Sequence, residues 1–242
     1  MPRYRDVSYA LFPPLTPMVK KIVIFTSAAF VLTWIPARFL GWGYPYALFA
    51  LQPWAVTHRL YVWQLVTYLF LHAEPFHIIF NMFGVWMFGS DLERLWGPRK
   101  FLFYYFLTGI GAGILDVLVH PSSQTATIGC SGAFYGLLVA FGLLFPDRII
   151  LFALIIPMRA KWFVLIFGGI EFLYSLSTPG STISHVAHVG GMLFGLAYLR
   201  GSGFRYRLEL RYQEWRRARL RRKFEVYMRK QEKKDDAGRW IN

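Results

Sequence analysis

A single cysteine, Cys130, is all the thiol this 242-residue chain carries. No intramolecular disulfide can brace it, and its cysteine usage does not report a redox compartment. Charge is scarce too: Asp, Glu, Lys and Arg make up 17% of the residues, against about 25% in ordinary globular domains. Acids are the rarer kind, 13 against 27 Lys and Arg, for a formal net charge of +14. No His-Glu-x-x-His or similar ligand spacing occurs among the six histidines, so no metal centre and no cofactor are expected. Internal repeats and low-complexity blocks are absent, and no two opposite charges pair within an apolar run, which weighs against a transporter. The first apolar run is not followed by a convincing small-residue cleavage site, so a cleavable signal peptide is not expected either.

What the chain has in plenty is apolar length. It is 55% hydrophobic and 19% aromatic, and apolar runs recur from about residue 19 to 200. That is too many for one soluble core, so the pattern predicts an all-α, polytopic membrane protein. Six spans are expected, at about 22–41, 76–90, 101–119, 129–145, 162–176 and 183–199. Several fall short of the ~20 residues a straight span needs. Residues 42–75, rich in Trp, Tyr and Pro, and residues 149–161, with Pro157, Arg159 and Lys161, read as interfacial connectors. The chain therefore divides into an N-terminal segment (1–18), a membrane domain (19–200) and a basic tail (201–242).

Lys and Arg cluster near 20, 91–100, 146–161 and 200–242, whereas the turns at 119–128 and 177–183 carry none. The positive-inside rule then places both termini in the cytoplasm, consistent with six spans. The tail holds 14 Lys and Arg against 6 acids. Beside a membrane span such a tail suits the anionic cytoplasmic leaflet better than nucleic acid. It reads as an amphipathic surface helix, a partner-binding helix or a solvated charged helix.

Against this apolar background a few polar residues stand out, because polar and titratable groups at membrane depth are costly. Ser131 lies in Gly129-Cys130-Ser131-Gly132, and His188 in Ala187-His188-Val189-Gly190-Gly191. The orientation puts both near the extracytoplasmic ends of their spans, at matching depth. Gly132 with Gly136, and Gly191 with Gly195, form small-xxx-small faces that let two helices approach closely. A hydroxyl and an imidazole on such helices can serve as nucleophile and base. Tyr135, four residues beyond Ser131, shares its face and can stack on the His188 ring. Asp116 and Glu171 are intramembrane acids in no matching motif, so a Ser–His dyad is expected rather than a triad. His77 and Asn81, at i,i+4, also share a face. They read either as donors for an oxyanion, with the Ser131 backbone N–H, or as a buried polar pair joining helices. His185 is expected to be interfacial, and Cys130 to be a small packing residue.

Taken in order, Trp63, His77-x-x-x-Asn81, Glu93-x-x-x-Gly97, Gly129-x-Ser131-Gly132 and Ala187-His188-x-x-Gly191-x-x-x-Gly195 resemble the rhomboid family of intramembrane serine proteases. The resemblance covers about residues 19–200. It implies a six-helix bundle with a water-filled cavity open to the extracytoplasmic side, and single-span membrane proteins as substrates. It also implies Ser131 as nucleophile, His188 as base, His77 and Asn81 at oxyanion-stabilising positions, and Tyr135 as the aromatic stacked on the histidine. The family often has Trp-Arg in its first loop where this chain has Trp63-Gln64. That arginine supports loop structure rather than chemistry. A non-catalytic, helix-binding relative is the alternative. The compact build leads us to expect a prokaryotic inner membrane.

Overall fold

The computed structural model describes residues 13–152, 156–177 and 184–201. The basic tail lies beyond them, so its expected helix and its lipid contact fall outside the described residues. The chain divides into two units, Met1–Ala197 and Tyr198–Asn242. Of the second only residues 198–201, which are helical, are described.

Among the described residues the long helices are α1 (Pro17–Phe39), α5 (Pro75–Trp96), α6 (Pro98–Val119), α7 (Ser131–Leu144), α8 (Ala160–Ser177) and α9 (residues 185–201). Three short ones, α2 (Tyr44–Phe49), α3 (Pro53–Arg59) and α4 (Gln64–Thr67), lie in the connector after α1. Proline opens α1, α3, α5 and α6, where its missing N–H has no acceptor in any case. Gly97, at φ +80°, ends α5 and lets the chain reverse straight into α6. By length and composition α1 and α6 are apolar enough to cross a membrane, and α7 is a shorter apolar helix.

α6 packs closely on α7, with α5 against both and α1 mainly against α5. Outward faces stay apolar: Phe25, Leu32, Phe76, Phe80, Leu165 and Leu173 are all exposed. An aqueous solvent would not tolerate so much apolar surface; acyl chains would.

Glu93 ties the two ends of this packing together. Its buried carboxylate accepts hydrogen bonds from the Thr16 hydroxyl, Met18 N–H and Val19 N–H, placing an acid at the N-terminus of α1.

The connector before α5 is braced from within. Gln64 is fully buried; its Oε1 accepts from Gln52 N–H at 3.0 Å and its Nε2 donates to the Leu48 carbonyl at 3.2 Å. The Trp63 indole donates to the same carbonyl. These bonds tie residues 48, 52, 63 and 64 into one braced loop.

Residues 149–159 depart from the all-α expectation. β1 (Ile149–Phe152) pairs antiparallel with β2 (Ile156–Arg159), Ile149 opposite Arg159 and Leu151 opposite Pro157. β-branched Ile149, Ile150 and Ile156 favour extended backbone, and a two-stranded ribbon has edges that accept a proline. Ile150 anchors the hairpin by packing with Phe88, Leu138, Phe141 and Ala160.

Candidate active site

The chain leading into α7 is fixed by the connector. Leu51 and Thr127 exchange backbone hydrogen bonds at 3.0 and 2.8 Å, and Gly129 N–H donates to the Tyr68 carbonyl at 2.9 Å. Gly129 then turns at φ +107°, a conformation that L side chains rarely adopt. The turn delivers Ser131 as the first residue of α7, where its N–H has no acceptor within the helix.

α9 begins with a serine cap: the Ser184 hydroxyl accepts from Ala187 N–H at 3.1 Å. His185 and His188 follow on one face of the first turn. α9 meets α7 where a Cβ on Gly191 would overlap the Gly132 carbonyl, so both backbones touch directly. The lower pair of expected packing glycines behaves differently. Gly136 faces Thr108, and Gly195 faces the Tyr104 hydroxyl, both on α6. Of the four glycines, Gly132 and Gly191 lie at the α7–α9 contact, with Gly132 also close to Ala112 of α6; for the other two α6 supplies the partner, and Tyr104 donates to the Gly136 carbonyl.

This contact brings His188 Nε2 to 2.7 Å from Ser131 Oγ. Tyr135 stacks on the His188 ring at 4.5 Å and 26°. The far nitrogen, Nδ1, lies 2.9 Å from Glu171 Oε2 on α8. The same carboxylate accepts from the Tyr135 hydroxyl at 2.5 Å and lies 2.6 Å from His185 Nδ1. His185, expected at the interface, is therefore drawn in beside an acid, with Tyr174 stacked on its other side. Glu171, an acid in no matching motif, is not among the site residues expected from the sequence. Its one legible signal was a carboxylate in an otherwise apolar helix. Asp116, the other intramembrane acid, pairs with His120 and Thr127 instead, away from Ser131.

On the other side of the turn stand His77 and Asn81. A Cβ on Gly129 would lie 2.7 Å from His77 Nε2 and 3.6 Å from Asn81 Nδ2. The His77 Nδ1 accepts a long contact from Ala73 N–H at 3.5 Å, which leaves the proton on Nε2, toward the turn. Behind it, His72 is fully buried, edge-on to the His77 ring and 3.9 Å from the Cys130 sulfur. Burial first, and the His77 charge second, push the His72 imidazole down to about 3, so it stands neutral. Cys130 is itself fully buried, a packing residue.

Chemically, the group offers a hydroxyl on an imidazole, a carboxylate on that imidazole's other nitrogen, and donors around the turn before the hydroxyl. Glu171, His185 and His188 present ligand atoms within 4.8 Å of one another, and are the group among the described residues that could hold a metal ion. Each of those atoms already has a hydrogen-bond partner within the group.

The Rhomboid domain family model matches residues 59–202, more than half the chain and every residue of this site. The chain belongs to the rhomboid family. As a rhomboid it is an integral membrane protein, of a family of intramembrane serine proteases. Relatives include yeast "Rhomboid protein 1, mitochondrial", 29% identical across 65% of this chain and 47% of its own length. "Rhomboid-like protease 3" of Toxoplasma gondii is 30% identical across 56% and 50%. "Putative rhomboid protease YdcA" of Bacillus subtilis is 30% identical across 55% and 63%. This rhomboid spans about half the length of the first two relatives. They come from a yeast mitochondrion, a parasite and a bacterium, so relatives of such mixed origin do not support the expected prokaryotic inner membrane.

Proposed function

We propose that this rhomboid is a serine endopeptidase that cuts transmembrane segments of membrane proteins. The observation that carries the reading is the 2.7 Å contact between Ser131 Oγ and His188 Nε2, made by two helices in backbone contact. In this mechanism Ser131 Oγ attacks the scissile carbonyl while His188 Nε2 takes its proton. The tetrahedral oxyanion is stabilised by the Ser131 N–H, His77 and Asn81, all gathered at the Gly129 turn. His188 returns the proton to the leaving amine, and water then releases the acyl group from Ser131 by the same steps. Tyr135 holds the imidazole plane. The reaction draws on no cofactor.

The proposed topology has α1 and α5 to α9 as six spans, with both termini in the cytoplasm. The cations at 20–21, 91–100 and 146–161 support it. It sets Ser131 and His188, each in the first turn of its helix, near the extracytoplasmic face. The proposed partners are single-span membrane proteins and, at the 201–242 tail, anionic lipid rather than nucleic acid.

A fluorophosphonate probe on the detergent-solubilised protein tests this reading. Labelling of wild type that disappears in Ser131→Ala and His188→Ala is the expected result. A folded wild type that resists this probe and a second mechanism-based serine inhibitor would refute it, in favour of a non-catalytic binder of transmembrane helices.

A further inference from the structure

We infer that Glu171 completes a Ser131–His188–Glu171 triad, as the positioning residue that selects the histidine's tautomer and steadies its charge. The inference rests on the proposed protease reading and goes beyond the expected dyad. His188 is buried, so its Nδ1 needs a partner. Glu171 Oε2 lies 2.9 Å away, and a carboxylate only accepts. The proton must therefore sit on Nδ1, which leaves the Nε2 lone pair aimed at the Ser131 hydroxyl. That is the tautomer a general base needs.

Glu171 is itself held in place. Tyr135, whose ring lies flat on His188, sends its hydroxyl to Oε1, and His185 reaches Oε2 from the same turn as His188. Three donors from two helices converge on one carboxylate carried by a third. During acylation one proton passes from Ser131 Oγ to His188 Nε2, and an imidazolium forms. Glu171 stays ionised and faces the new charge at hydrogen-bond distance, where scarce water leaves their attraction weakly screened. The proton then leaves on the departing amine, and the triad is restored.

The acid could instead be simple glue between α7, α8 and α9, and the two roles separate experimentally. Glu171→Gln keeps the shape but offers one acceptor oxygen to three donors. If its amide turns to Nδ1, the imidazole proton moves to Nε2 and the base is lost. Glu171→Asp keeps the charge but draws it back by one methylene. Both variants and wild type would be compared for fluorophosphonate labelling rate, its saturation constant and melting temperature, in chelator-containing buffer.

We expect Glu171→Gln to slow saturated labelling about 100-fold or more with its saturation constant unchanged, and Glu171→Asp to fall between it and wild type. Labelling of Glu171→Gln within about threefold of wild type overturns the inference. So does a rate that tracks melting temperature rather than charge across the pair. Should Glu171→Gln fail to fold, a wild-type rate in Glu171→Asp overturns it equally. A wild type that resists labelling is a different failure, that of the protease reading.

Discussion

Replacing Gly129 with alanine tests the turn that joins the fold to the chemistry. Two costs follow from the structure. At φ +107° a side chain is strained, by about 1–2 kcal/mol. The new Cβ would also lie 2.7 Å from His77 Nε2, so the ring must retreat by about 0.8 Å to reach ordinary van der Waals separation. His77 sits on α5 and the serine on α7, so this retreat opens the gap between the proposed oxyanion donor and the nucleophile. Misplacement on that scale costs about 100-fold in rate. We expect Gly129→Ala to lose about 1–2 kcal/mol in unfolding and to label with fluorophosphonate about 100-fold more slowly. A folded Gly129→Ala that labels at the wild-type rate would refute the link between this turn and the proposed oxyanion site.

Three further tests bear on the scaffold. Gln64→Ala leaves the Gln52 N–H without its acceptor, while the Leu48 carbonyl keeps Trp63; a loss of about 1–3 kcal/mol is expected in thermal or denaturant unfolding. Glu93→Gln weakens the capping of α1 and should cost about 2 kcal/mol, with Ser131 labelling unchanged in the folded fraction; equal stability to wild type would count against the tie. His72 titrates near 3 when folded, against about 6.5 unfolded, with His77 and the Cys130 thiol as its titratable neighbours. Between those values the unfolded chain binds a proton that the folded chain excludes. Its contribution is full above about 6.5 and is lost as pH falls toward about 3. Melting temperature should therefore drop from pH 7 to 4, and His72→Phe should flatten that slope.

Much of this arrangement was legible before any coordinates. The apolar run at 101–119 falls within α6, and the serine and histidine singled out as polar residues in apolar runs lie 2.7 Å apart. The i,i+4 spacing of His77 and Asn81 survives as a shared face beside Gly129. What escaped depends on how helices rotate against one another. Spacing says which residues share a face, but not which neighbour that face meets, so Gly136 and Gly195 were assigned to α7–α9 contact although both look onto α6. Glu171 escaped for the same reason: its partners lie on α7 and α9, and no periodicity within α8 points to them. The hairpin at 149–159 escaped because a short apolar stretch with one proline fits a connector as well as a strand.

Glu171 and the Ser131–His188 pair stand on helices that are seated differently. Ser131 and His188 stand on helices whose backbones touch at Gly132 and Gly191. Glu171 rides on α8, which presents Trp162, Leu165, Phe172, Leu173 and Leu176 outward and packs on α7, the hairpin and α9. On the proposed role of Glu171, sliding α8 outward by about 1 Å takes its carboxylate beyond hydrogen-bond range of His188. Nucleophile and base would stay in register. On that role the seating of α8 would act as a throttle: the carboxylate's distance, and not the serine–histidine contact, would set how strongly the base is supported.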